Sequence, residues 1–211
     1  PFAFCASMGE LGIFALPDRV AALRDPERKR RILAEHAELA ATLEPGIIRQ
    51  IMCCFDVIFR LTDPVDYELD ADWSVAAEAR SQGVEPAELI YDLLLERDGT
   101  QLLYLPLFNF AHGNFDDIHD MIPSPSTLFG LSDAGAHCGA ICDASMTTSS
   151  MTVWSRDRTR GDKVPLEAIV HGHTARNAAH MGWGDRGLIA PGYLADLNVI
   201  DLDALACHPP T

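Results

Sequence analysis

The chain has no Cys-x-x-Cys pair, no low-complexity tract, no internal repeat and few basic residues. Its six cysteines, Cys5, Cys53, Cys54, Cys138, Cys142 and Cys207, are scattered. That spacing supports neither a zinc ribbon nor a small disulfide scaffold, and reduced thiols in a cytoplasmic protein are the simplest expectation. No apolar run approaches the roughly 20 residues that a membrane-spanning helix needs. Acidic residues outnumber basic ones 31 to 16, for a net charge of −15. This argues against nucleic acid and anionic membranes as partners, because both require a basic face.

What is present is enough apolar material for a real core: 211 residues, 48% of them hydrophobic. Phe2-Ala3-Phe4-Cys5-Ala6-Ser7-Met8 reads as a short buried strand. Asp25 then caps, and Pro26 opens, a charged helix with Ile32, Leu33, Leu39 and Leu43 on one side and Arg28, Lys29, Arg31 and Glu35 on the other. Pro45-Gly46 ends it. The β-branched, apolar run Ile47-Ile48-Arg49-Gln50-Ile51-Met52-Cys53-Cys54-Phe55 predicts a buried parallel strand. Residues 62–72 carry Asp63, Asp66, Glu68, Asp70 and Asp72 with no base, the pattern of solvated surface. Residues 74–82 and 86–97 form two helices with Ser74 and Glu85 at the capping positions, the second burying Leu89, Ile90, Leu93 and Leu94. Residues 101–110 and 128–132 predict two further strands, with a short helix over 116–121 between them.

Candidate chemistry centres on Leu128-Phe129-Gly130-Leu131-Ser132-Asp133-Ala134-Gly135-Ala136-His137. This sequence puts a carboxylate at the exit of a short apolar strand, followed by small residues that leave room for a ligand. Asp133 is a candidate proton carrier, although Ser-Asp before a glycine is also a common structural turn. His112, at the end of the predicted strand, and His137, four residues past Asp133, are the histidines placed to face a substrate. His36, His119, His180 and His208 lie on predicted helices or near the terminus. Cys138 and Cys142 read as loop-packing thiols. His171-Gly172-His173 continues a helix begun at Pro165, so its imidazoles point about 200° apart and do not share one ion.

Two downstream segments complete a pattern. Thr174-Ala175-Arg176-Asn177-Ala178-Ala179-His180-Met181-Gly182 is a short helix with Thr174 as N-cap and Gly182 past its end. Gly187-Leu188-Ile189-Ala190-Pro191-Gly192-Tyr193-Leu194-Ala195-Asp196-Leu197-Asn198-Val199-Ile200-Asp201 is a strand, a Pro-Gly turn and an alternating strand. With the Asp133 segment, and in this order, they resemble the closing part of the amidohydrolase superfamily. More loosely, through residues 74–99 and the order of elements, they resemble its D-aminoacylase and N-acyl-D-amino-acid deacylase branch.

The resemblance implies an α/β fold. Residues 1–186 would be the C-terminal part of a metal-dependent (β/α)8 barrel, and residues 187–211 a strand pair of a small β-domain. A complete barrel of this kind takes about 250 residues, so the chain reads as a C-terminal portion of a larger enzyme. The implied cofactor is a divalent metal, zinc foremost, with most ligands outside this chain. Asp133 would sit at that metal and carry the proton from activated water to the leaving amine. The implied substrate is a small amide, and association with a second copy or with the chain supplying the missing strands is expected. One departure matters. Deacylases of this branch place a base about a dozen residues past the catalytic Asp to hold the substrate carboxylate. Here Cys142-Asp143-Ala144-Ser145-Met146-Thr147-Thr148-Ser149-Ser150 has none, and the first is Arg156. A neutral or cyclic amide suits this hydroxyl-rich stretch as well. Three readings stay open: deacylase, cyclic amidase or deaminase, and non-catalytic scaffold.

Overall fold

The structure is a computed structural model that describes residues 1–130, 132, 134 and 143–207. It divides into two units, residues 1–114 and residues 115 onward. The first contains α1 (Ala6–Gly9), α2 (Leu16–Leu23), α3 (Pro26–Thr42), α4 (Ile47–Cys53), α5 (Val75–Gln82) and α6 (Pro86–Leu93). Strands β1 (Phe59–Arg60) and β2 (Leu103–Tyr104) form an antiparallel ribbon with Phe59 opposite Tyr104.

Local chemistry accounts for the helices. The Asp25 carboxylate accepts from the Glu27 amide at 3.0 Å, satisfying one of the donors that a helix start leaves free, and Pro26 needs none. Ser74 does the same for Ala77 at 3.2 Å, whereas Glu85 stands at the cap of α6 without a side-chain bond. The expected inward faces pack: Ile32 from α3, Val75 and Ala79 from α5, and Leu89, Ile90 and Leu93 from α6 share one core with Phe2, Cys5 and Tyr91. Ion pairs then tie helix to helix, Lys29 to Glu88 and Asp92, and Arg28 and Arg31 to Glu10. The second helix stops at Leu93 instead of 97, and a 3-10 turn, Glu96–Gly99, follows, in which Arg97 and Asp98 take left-handed backbone angles. In the acidic run Asp63, Asp66, Asp70 and Asp72 are exposed as expected, but Glu68 is buried.

Three expected strands take other forms. Residues 2–8 make a 3-10 turn, Phe2–Phe4, followed by α1. Residues 47–55 are chiefly α4, where the spacing of Ile48 and Met52 also suits a helix, and Met52 turns inward with its carbonyl 3.0 Å from His36 Nε2. Of residues 101–110, only β2 pairs, and it does so antiparallel instead of parallel. The reason is common to all three: strand amides need a neighbouring strand, whereas helix amides bond within their own segment. Pro106 has no amide to offer, and Asn109, at φ 57°, leaves the extended region.

The second unit contains α7 (Asp116–Met121), α8 (Met146–Thr152), α9 (Leu166–His171) and α10 (Asn177–His180) among its described residues, the last two joined through a π-helical turn, Gly172–Arg176. Ile122, Val164 and Ile169 form its core, with Phe129, Met151 and Trp154 packed against them. The Arg158 side chain is almost fully buried. It pairs with Asp116 at 2.6 Å, donates to the Asp162 carbonyl at 2.8 Å and lies over the Trp154 ring. Residues 128–130 and 187–201 carry no strand. The Pro191-Gly192 turn is present, closed by the Tyr193 amide on the Ala190 carbonyl at 3.2 Å, but Leu197 and Val199 beside it are exposed, without a sheet to enter. The described residues are therefore mostly helical with one two-stranded ribbon, not the parallel strands expected from the sequence.

Ile90 is wholly buried and Ile13 is 90% exposed. Ile90→Ala is expected to destabilise the chain by about 2–5 kcal/mol, and Ile13→Ala by no more than about 0.5 kcal/mol. Urea unfolding followed by circular dichroism checks this, and equal midpoints for the two variants would contradict the packing described.

Candidate functional site

The backbone that leads to Asp133 runs across a helix built to receive it. Gly172 and Arg176 stand four residues apart, as do His173 and Asn177, so each pair shares a helix face. Gly172 has no side chain because the Phe129 ring occupies that space: a Cβ there would stand 2.5 Å from two ring carbons. The His173 ring lies against the same phenyl ring, with centroids 4.2 Å apart. Asn177 donates through Nδ2 to the Phe129 carbonyl at 2.8 Å. The Arg176 guanidinium donates to the carbonyls of Ser124 at 3.0 Å and Thr127 at 3.2 Å, with Ile122 at the 3.5 Å limit.

His173 is also tied to α8. Its Nε2 lies 2.7 Å from Ser150 Oγ, and that hydroxyl donates to the Thr147 carbonyl at 2.8 Å. A hydroxyl has one proton. With that proton on Thr147, the imidazole must donate through Nε2. Burial pushes His173 below its ordinary pKa, favouring the neutral ring.

Sequence reading valued this region differently. Thr174 is not an N-cap: it lies inside the π-helical turn and donates to the Val170 carbonyl at 2.6 Å. Gly182 does end the helix, in the left-handed conformation expected. His171 is exposed while His173 faces Phe129 and Ser150, so the two do not converge. The hydroxyl-rich stretch after Cys142 is largely α8, and two of its hydroxyls bond back to helix carbonyls, Ser149 to Met146 and Ser150 to Thr147. Arg156 pairs with Asp157 and donates to the Leu202 and Leu205 carbonyls at 2.5 and 2.8 Å. The grip of Gly172, His173, Arg176 and Asn177 on residues 122–129 was not anticipated. Its signal was the i, i+4 spacing within Gly172-His173-Thr174-Ala175-Arg176-Asn177.

Of the predicted site residues, Asp133 and His137 lie outside the described residues, as do Cys138 and Cys142. His112 is exposed in a turn following Phe110, not at a strand end. Among the described residues no group of three or more His, Cys, Asp or Glu could hold a metal ion, and no helix is long and apolar enough to cross a membrane. Cys5, Cys53, Cys54 and Cys207 are free thiols.

Residues 76–211 match the amidohydrolase family, nearly two thirds of the chain. The chain belongs to the amidohydrolase family. Membership makes it a hydrolase-family chain and implies a TIM-barrel-like fold, with which the described residues, mostly helical with one antiparallel two-stranded ribbon, are only partly consistent. The matched residues of this amidohydrolase take in the whole grip on residues 122–129, together with Asp133. No curated protein and no solved structure matches the chain.

Two outcomes follow for this amidohydrolase. Gly172→Ala is expected to destabilise by about 1–3 kcal/mol, because the added methyl group must displace a packed ring; an unshifted urea midpoint would refute the close approach. The pH dependence has a definite sign. A histidine whose folded pKa is depressed binds fewer protons folded than unfolded, so stability is present above about pH 6.5 and is lost as pH falls below it. Carboxylates act in a lower window, near pH 4 and below. The fall in urea midpoint between pH 7.5 and 5.5 is expected to flatten in His173→Gln, and an unchanged slope would show that another group titrates.

Proposed function

We propose that this chain forms the C-terminal part of a metal-dependent hydrolase of amide C–N bonds, similar to an N-acyl-amino-acid deacylase, with Asp133 as its proton carrier. The observation that carries the proposal is the family match over residues 76–211, which takes in Asp133 within the sequence Ser132-Asp133-Ala134-Gly135. In this reading Asp133 takes a proton as water attacks the amide carbon and returns it to the leaving nitrogen, so that the departing group is a neutral amine. Such a positioned acid–base group contributes about 100-fold or more to rate.

The described residues do not assemble a metal site. The proposal therefore assigns the ion, zinc in the first instance, to donors outside them, and no step is drawn through it. His112 and His137 are assigned to substrate. The substrate is a small amide, the location cytoplasmic, and the remaining barrel is supplied by further chain or by association with a copy. Residues 187–211 belong, in this reading, to a small β-domain.

One observation favours a second substrate class on the same chemistry. Arg156, the first base after Asp133, spends its donors on Asp157 and on the carbonyls of Leu202 and Leu205. An arginine so engaged is a poor partner for a substrate carboxylate, and a cyclic amide, which carries none, needs no such partner.

The complete protein, loaded with zinc, is to be assayed with N-acetyl-D-leucine and with hydantoin. Asp133→Asn is expected to lower kcat at least about 100-fold on the substrate that is turned over. Near-normal turnover in that variant would remove Asp133 from the mechanism, and failure of the wild type on both compounds would remove the proposed substrate classes.

A further inference from the structure

Cys53 and Cys54 are the only adjacent cysteines in the chain, and amide hydrolysis gives them no part to play. Cys53 is the last residue of α4, and Cys54 caps that helix, its amide donating to the Gln50 carbonyl at 3.2 Å. At Cys54 the backbone leaves the helical region, with φ −86° and ψ 64°. The preceding residue, Met52, is buried, and its carbonyl lies 3.0 Å from His36 Nε2. The end of α4 is therefore anchored, and the two thiols are held on its last turn. Both are free and only partly buried, open to a small reagent from solvent. Cys5 differs: it is 1% exposed, and its Sγ donates to the Ile32 carbonyl at 3.8 Å. Burial, then the Asp56 carboxylate and the Cys53 thiol, push the Cys54 thiol above its ordinary pKa, with Arg49 opposing them. The two sulfurs thus stand near enough for charge on one to be felt by the other.

Such a pair can close on itself or on a third atom. Adjacent Cα atoms across a trans peptide lie about 3.8 Å apart, whereas an unstrained disulfide spans about 4.4–6.8 Å between its Cα atoms. Direct closure is therefore strained, and the dithiol form is favoured. A bridging atom relieves that strain by adding a member to the ring. Among the described residues no group of three or more His, Cys, Asp or Glu could hold a metal ion, so this place offers two soft donors. Two fall short of the four that zinc takes. They match a thiophilic centre with two positions free for sulfur, the kind that thiol ligands select over hard cations. Trivalent arsenic bearing one organic group is such a centre.

We propose that Cys53 and Cys54 form a chelating site for a trivalent organic arsenical. With an arsine oxide, each sulfur forms one bond to arsenic and the arsenic–oxygen double bond breaks. The oxygen leaves as water, carrying the two thiol protons. Arsenic stays trivalent and nothing is oxidised or reduced. The site lies outside the residues matched to the family and does not depend on the role given to Asp133.

Phenylarsine oxide is the probe, added to the reduced complete protein, and its release to 2,3-dimercaptopropanol reports the affinity. Cys53→Ser and Cys54→Ser are each expected to weaken binding about 100-fold or more, because a second attachment on the same chain acts at high effective concentration. The double variant Cys138→Ser/Cys142→Ser is expected to leave binding unchanged. Alkylation of the wild type gives an answer that no misfolded variant can blur. One equivalent of phenylarsine oxide is expected to shield Cys53 and Cys54 together from iodoacetamide while Cys207 stays reactive, read by mass spectrometry of the digested protein. Full-strength binding in either serine variant, loss of binding in the Cys138→Ser/Cys142→Ser variant, or shielding of only one of the adjacent thiols overturns the site.

Discussion

A buried peptide group needs a hydrogen-bond partner, and most features of this chain follow from where each segment finds one. Short helices satisfy their amides internally and use capping side chains for the rest, as Asp25 and Ser74 do. Extended segments have no such recourse. Where two of them meet, a ladder of only two residues per strand forms between β1 and β2. Where none is alongside, as at residues 122–129, local turn bonds such as the Thr127 amide on the Ser124 carbonyl are joined by donors from the side chains of a helix.

The same constraint shapes the candidate site. Arg176 and Asn177 are polar residues on a helix whose neighbours Ile169 and Ala178 are buried, and such residues stay near a core only if their donors are used. Here they are used on carbonyls of the segment that leads to Asp133 in the chain. Residue choice around them is correspondingly narrow. Gly172 admits a ring, His173 stays neutral against it, and Ser150 links that ring to α8. Arg156 and Arg158 serve similar ends elsewhere in this unit, each engaging carbonyls and a carboxylate. In an acidic chain with few bases, three arginines are thus committed to holding irregular backbone, which bears directly on which groups remain to meet a substrate.

Membership of the amidohydrolase family was legible in the order of three segments, and the family match spans all of them. The helices were legible too, since capping residues and a 3.6-residue apolar period are local properties: α3, α5 and α7 appear where the sequence places them, and α6 starts where expected but ends four residues early. The strands were not. An apolar, β-branched run such as Ile47-Ile48-Arg49-Gln50-Ile51-Met52 is compatible with both periods, and the absence of a pairing neighbour settles it as α4.

By itself, then, the sequence determined which residues are apolar, where helices start, the glycine that ends the last one, and the kinship carried by the Asp133, Thr174 and Pro191-Gly192 segments. Tertiary structure alone decided that His173 faces a phenyl ring and a serine instead of an ion, that Thr174 lies within a helix, that the hydroxyls of Ser149 and Ser150 turn back on α8, and that Arg156 is spent on distant carbonyls. The physical reason is range. Caps, turns and periodicity depend on residues a few positions apart, whereas the partner of a donor such as Arg176 lies about fifty positions away in the chain and is chosen only when the backbone has brought an unsatisfied carbonyl to it.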